Sequence, residues 1–169
     1  MIETSIPKLV LRPSEQSDAA AIWTILNEPG VGSQITPFWP EATSSSWMRM
    51  LGFDDSTSRA WTIWLGDKII GLYVLGEINW RMHSARVLAH GRSREYADAG
   101  MGAAVILAMR DWAWRNGLIR LWFTTIVPRD ITEKRVAPLG GRYEGTDRRA
   151  LWIDGKPLDI HRFAYLAGE

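Results

Sequence analysis

The stretch from Ser84 to Val127 constrains the fold more than any other, because it reads as strand, glycine turn, helix and strand in direct succession. From Gly102 to Asn116, Val105, Ala108, Met109 and Trp112 share one stripe with Met101, while Arg110, Asp111 and Arg115 fall on the other side. That is the period of about 3.6 residues expected of a helix packed on one face. Gly117 follows where a left-handed residue ends such a helix. Ser84–Arg92 before it and Leu118–Val127 after it are rich in strand-forming residues. A helix flanked by strands needs a sheet to lie on, so a mixed α/β layer architecture follows.

The remaining segments extend this pattern. Lys8–Arg12 reads as a first strand and Asp18–Glu28 as a helix, stopped by Asn27-Glu28-Pro29-Gly30. Val31–Glu41 is a proline-punctuated aromatic loop, followed by a short helix over 42–51. Arg59–Leu65 and Lys68–Ile78 form a hairpin around Gly66-Asp67. Ile131–Leu139 reads as a short helix, and Tyr143–Ile153 with Leu158–Leu166 as a hairpin around Asp154-Gly155. The expectation is one domain over residues 1–169, with about seven strands and about four helices. Most of the ten tryptophans, including Trp61, Trp64, Trp112 and Trp122, fall in these elements and are expected to pack in the core.

Composition narrows the function classes. The chain has no cysteine, which excludes disulfides, thiolate metal sites and a cysteine nucleophile and accords with a cytoplasmic location. Neither a leader pattern nor a run of about 18 apolar residues is present, so no membrane association is expected. His83 and His90 lack a convincing carboxylate partner, and no metal site is expected. The net charge of +1 conceals an excess in residues 80–150, where 13 Lys/Arg stand against 7 Asp/Glu. This is either a solvated face or a local anion site. Nucleic-acid binding through it ranks last, because neither an aromatic-basic RNA motif nor a helix-turn-helix accompanies the charge.

Chemistry is most legible in Arg94-Glu-Tyr-Ala-Asp-Ala-Gly-Met-Gly-Ala103, the turn that opens the long helix. Backbone N–H groups at a helix N-terminus converge on one point and carry the positive end of its dipole, which suits a pyrophosphate. A lone Gly-x-Gly also occurs in turns that bind nothing. The third glycine of a dinucleotide fingerprint and the Gly-Lys-Ser/Thr end of a P-loop are both missing.

This run resembles the acyl-CoA loop of the GNAT superfamily of N-acyltransferases, with Gly100 and Gly102 on the family's glycines and Glu95-Tyr96 like the residues preceding them. Lys8-Leu-Val-Leu-Arg-Pro13 is similar to the family's opening strand, and Asp18 to the acid that opens its first helix. Ile69-Ile70-Gly71 resembles its Ile-Gly element, and Pro138–Gly145 its Leu-Gly-Phe-x-x-Glu-Gly segment. The nearest branch is the ribosomal-protein and N-terminal acetyltransferase group. Ala97 stands where the family has Gln or Arg, Asp98 adds a negative charge, Gly141 replaces an aromatic residue, and the Asn of the next motif is Arg129 or Asp130.

The resemblance implies a central, mostly antiparallel sheet whose fourth and fifth strands in this count, 84–92 and 118–127, splay apart to admit pantetheine. It implies acetyl-CoA as co-substrate. His90, Gly91 and Arg92 would meet pantetheine, and Ala97, Asp98, Ala99, Gly100, Met101 and Gly102 the pyrophosphate, with Arg92, Arg94 and Arg129 adding charge. The acceptor would be a primary amine: a peptide or protein N-terminus, a lysine or a small-molecule amine. The alternative is a catalytically degenerate module that holds acyl-CoA or a protein partner without turnover, and a homodimer is compatible with either.

Acetylation needs an uncharged amine, whose ammonium form titrates near 10, so a proton acceptor is required. The family's strand carboxylate is replaced by Val87, leaving His90 and Glu77 as candidate bases. Thr132 matches the family's serine three residues after its Asn, so the resemblance implies a hydroxyl that protonates the leaving thiolate, while the plainer reading is a helix-capping hydroxyl. Phe38, Trp39 and Trp47 fall where the family builds its acceptor cleft and are candidates to line it.

Overall fold

A computed structural model describes residues 1–35, 56–97 and 100–169. Its strands are β1 (Ile2–Glu3), β2 (Leu9–Pro13), β3 (Arg59–Leu65), β4 (Lys68–Asn79), β5 (Ser84–Arg92), β6 (Arg120–Thr125), β7 (Gly141–Ile153) and β8 (Lys156–Leu166). The described helices are α1 (Ala19–Leu26), the single turn α2 (Gly32–Ile35), α3 (Met101–Arg115) and α4 (Arg129–Val136). The short helix expected over 42–51 lies outside the described residues.

All eight strands belong to one sheet in the order β1-β2-β3-β4-β5-β6-β8-β7. Every pairing is antiparallel except that of β5 with β6. The strand beyond the expected seven is β1, two residues that pair Ile2 with Leu11 and are too short to show a period in sequence. Both expected two-residue turns close as read, with Leu65 opposite Lys68 and Ile153 opposite Lys156. The stretch read as loop after Val31 contains α2, a turn too short for hydrophobic periodicity to reveal.

Strand alternation divides the apolar residues between two cores. Tyr73, Leu75, Ala85, Leu121 and Phe163 meet Val105, Met109 and Ala113 of α3 on one face. On the other, Leu72, Val74 and Ala89 meet Ile22, Ile25 and Leu26 of α1. Trp61 is buried and packs edge-on against Trp112 with centroids 4.7 Å apart, as expected of core tryptophans. Trp122 departs from that expectation. Its neighbour Leu121 takes the α3 face, so Trp122 points to the α1 side of the sheet, half-buried between the Arg86 and Arg162 guanidinium groups at 5.1 and 5.7 Å.

A buried polar knot anchors α1. Asp18, 2% exposed, accepts hydrogen bonds from Arg12 at 2.8 Å, the Thr62 hydroxyl at 2.8 Å and the Glu15 N–H at 3.0 Å. It joins β2, β3 and the helix start, the place that the acid-opened first helix occupied in the sequence reading.

Candidate active site

The β5–β6 pairing extends over only three rungs, Ser84 with Arg120, Ala85 with Leu121 and Arg86 with Trp122. Beyond them β5 continues to Arg92 and β6 to Thr125 without pairing to each other, so the central sheet opens into a cleft. The six residues from Val87 to Arg92 present about 20 Å of strand edge that pairs with no strand on that side among the described residues, an edge open to an extended ligand.

At the far end of β5 the chain turns into α3. Gly100 takes φ +69°, a left-handed conformation that glycine adopts without steric cost. The helical ladder starts with Ala104 N–H to Gly100 O at 3.2 Å, so the N–H groups of Met101, Gly102 and Ala103 precede it, and Gly100 has no side chain to cap them. Against this end lies Arg92. A Cβ on Gly102 would stand 2.6 Å from Arg92 Nη1 and 3.0 Å from Cζ, so the glycine makes room for the guanidinium. Burial lowers the Arg92 pKa, its Nε has no hydrogen-bond partner among the described residues, and Nη2 reaches only the Ala97 carbonyl at 3.5 Å. A cation with spare donors beside the positive end of a helix dipole forms a receptor for an anion.

A sequence profile described as an acetyltransferase (GNAT) domain matches residues 8–137. The chain belongs to the GNAT acetyltransferase family. It is an acetyl-CoA-dependent N-acetyltransferase, and acetyl-CoA is its co-substrate. The fold of this acetyltransferase is similar to that of a spermidine N-acetyltransferase from Vibrio cholerae, solved with CoA and spermine, at TM-score 0.80 and 21% identity over 95% of this chain and 96% of that one. A probable GNAT-family acetyltransferase from Chromobacterium violaceum superposes at TM-score 0.80 with 15% identity, covering 98% and 86% of the two chains. None of the curated proteins compared matches the sequence. The open β5 edge, the α3 N-terminus without a side-chain cap from Gly100, and the Arg92 donors that are spare among the described residues fit the pantetheine and pyrophosphate of acetyl-CoA.

The candidate residues of the acetyltransferase fall into three groups. The first surrounds the α3 turn. Nε2 of His90 accepts a hydrogen bond from Arg92 Nη1 at 2.9 Å, and its ring lies 5.5 Å from that of Tyr73. Burial and then the Arg92 charge lower the His90 pKa to about 3, so the ring is neutral in ordinary buffers. Gly91 packs under Leu26 and Ile35, where an added Cβ would come within 2.9 and 3.0 Å of their methyl groups. Asp98 and Ala99 lie outside the described residues, as do Phe38, Trp39 and Trp47.

The second group sits at the base of the cleft. Leu75 and Ile78 both belong to the α3-side core, three residues apart, because the β4–β5 register slips between Gly76 and Asn79. Glu77 is the residue pushed out of the alternation, with φ +49°, and its carboxylate meets Arg86 at 2.8 Å. The third group is on α4. The buried Thr132 hydroxyl donates to the Val127 carbonyl at 3.4 Å, a bond within the helix entrance. Arg129 turns to Glu133 at 3.2 Å and stacks 4.0 Å over the Tyr143 ring, lining a groove of about 470 Å³ with Gly140, Gly141 and Arg142.

Sequence reasoning missed Glu28, whose carboxylate accepts from the Arg94 N–H at 2.8 Å and the Ser93 hydroxyl at 3.1 Å and so ties the end of α1 to the turn. It also missed Arg86 and Thr124. Each acts on a residue far away in the chain, and no local spacing signals that. Among the described residues no cluster of three or more metal-ligating side chains occurs, and no helix is long and apolar enough to cross a membrane.

The depressed His90 pKa makes a stability prediction. The unfolded ring, with an ordinary pKa near 6.5, binds a proton that the folded ring refuses. The folded state is therefore fully favoured above about pH 6.5 and loses that advantage as pH falls toward about 3. Melting temperature should decline from pH 7 to pH 4, and His90→Gln should flatten the decline. An unchanged slope in that variant would mean that His90 protonates freely in the folded protein.

Proposed function

We propose that this acetyltransferase moves the acetyl group of acetyl-CoA to the primary amine of a small molecule, with a polyamine as the first class to test. The observation that carries the reading is the β5–β6 cleft, paired over three rungs and then open, with Arg92 at its far end. The similarity in fold to spermidine N-acetyltransferases along nearly the whole chain supports the acceptor class. The resemblance to the branch that acetylates protein N-termini makes a peptide amine the competing acceptor.

In this reading the ammonium gives up one proton, the freed lone pair attacks the thioester carbonyl, the C–S bond breaks, and the nitrogen releases its second proton as the thiolate takes one up. His90 serves the cofactor end, because its Nε2 lone pair is engaged by Arg92 and its pKa is far below that of an amine. Glu77 is the better-placed proton acceptor, a partly exposed carboxylate at the cleft base that can act directly or through water. Thr132 is the candidate proton donor to the thiolate, its hydroxyl first giving up the long bond to Val127. Phe38, Trp39 and Trp47 are proposed to line the acceptor side, and a homodimer is the proposed assembly.

The test offers acetyl-CoA with spermidine, spermine, a lysine peptide and a peptide with a free N-terminus, and reads products by mass. An acetylated polyamine supports the proposal, and acetylation of peptides alone overturns the acceptor class. Arg92→Gln supplies a second check. A charge-assisted hydrogen bond contributes about 1.5–3 kcal/mol, so the variant should bind acetyl-CoA roughly 10- to 100-fold more weakly by titration calorimetry. Parent-like affinity would remove Arg92 from the cofactor site.

A further inference from the structure

We propose that Arg86 is a positioning residue for acyl transfer, its guanidinium bridging the two arms of the cleft and aiming Glu77. Arg86 belongs to the last backbone rung before β5 and β6 separate. Alternation puts Ala85 in the α3-side core, so Arg86 points to the α1 side with Trp122. From there Nη1 donates to Glu77 Oε1 on β4 at 2.8 Å, and Nη2 donates to the Thr124 hydroxyl on β6 at 3.1 Å. One planar group thus joins three strands where the sheet comes apart.

Two observations make this more than a surface ion pair. Glu77 reaches Arg86 only because a bulge with a positive φ turns it out of the strand, a conformation disfavoured for a side chain other than glycine. Bulges of this kind re-aim side chains at functional sites. Thr124 lies on the open arm, two residues beyond the last β5–β6 rung, so its bond to Arg86 continues the connection where backbone pairing has ended. The fixed fork of the guanidinium makes both bonds at once, whereas a lysine ammonium is a single point on a flexible stem. Glu77 and Arg86 are both partly exposed, with side chains 54% and 33% accessible, so the pair contributes little to folding and its strongest effect falls on geometry.

This inference rests on the amine acetylation proposed above and deepens it. The experiment compares the parent enzyme with Arg86→Gln, Arg86→Lys and Arg86→Ala, using acetyl-CoA and whichever amine of the panel the parent acetylates. Turnover should fall about 10- to 30-fold in Arg86→Gln, with acetyl-CoA affinity by calorimetry within about threefold and melting temperature within about 3 °C. Arg86→Lys should recover less than half of the loss, and guanidinium ion at millimolar concentration should restore part of the turnover of Arg86→Ala. Parent-like turnover in Arg86→Gln, full recovery by lysine, or a loss that follows the melting temperature would each overturn the positioning role. A parent that binds acetyl-CoA but acetylates no amine would instead overturn the proposed function, and the role of Arg86 with it.

Discussion

Glu77→Gln is expected to lower turnover by about 10²-fold or more while leaving acetyl-CoA affinity near that of the parent. General-base assistance typically contributes about 10²- to 10⁴-fold, and the alkyl ammonium of an acceptor holds its proton to a pKa near 10. Glutamine keeps the side chain's length and an oxygen that can accept from Arg86, so the bridge from β4 to β6 survives and only the proton-accepting carboxylate is lost. A fall in both turnover and specificity constant, with unchanged cofactor affinity, is the pattern of a group that acts in the transition state. His90 cannot substitute, since its Nε2 lone pair holds Arg92 and its pKa stands near 3. If Glu77→Gln keeps turnover within about threefold, positioning and solvent carry the deprotonation, and Glu77 leaves the mechanism.

The largest expected change in stability comes from Asp18→Ala, at about 3 kcal/mol. The carboxylate accepts from an arginine, a threonine hydroxyl and a backbone N–H in a site that is 2% exposed. Removing one partner of a buried ion pair typically costs 3–5 kcal/mol because the other charge is left uncompensated. The lower end applies here, since the Arg12 side chain keeps 35% of its exposure and can reach water. For a domain of this size that is a fall of about 6–12 °C in melting temperature. Asp18→Asn should lose less, because one oxygen remains to accept from Arg12 or Thr62. Urea unfolding decides the matter, and a loss below about 1 kcal/mol would place Asp18 with the exposed pairs that contribute little.

The two predictions separate kinds of information that the chain carries differently. Asp18 was visible through the resemblance, as the residue similar to the acid that opens the family's first helix. Its second role, receiving Thr62 from β3, spans 44 residues and left no local mark. Glu77 was legible as a carboxylate near a strand end, yet its orientation depends on a bulge that shifts the alternation by one residue. A pattern with period two places 75 and 77 on the same face, whereas the folded sheet buries 75 and 78. Trp122 was misjudged for a related reason. Aromatic and strand-forming character identifies a residue in a sheet but not which of its faces a helix covers.

From the amino-acid order alone came the family, the single mixed sheet, the glycine turn that opens α3 and both two-residue hairpins. The elements, the glycine turn and the hairpins rest on short-range rules of hydrophobic periodicity, glycine freedom and turn geometry, whereas the family rests on the resemblance of several motifs spread along the chain. The order also carried the His90–Arg92 pair, since residues two apart in a strand share a face. Folding added what depends on distant segments meeting. The cleft exists because β5 and β6, joined in sequence by a whole helix, pair for three rungs and then part. Only in that arrangement does Gly102 make room for Arg92, does His90 lose its basicity to burial and a neighbouring cation, and does Arg86 bring β4, β5 and β6 to a common point. Desolvation, charge proximity and strand divergence are properties of three-dimensional neighbours, and the linear spacing of residues does not encode them.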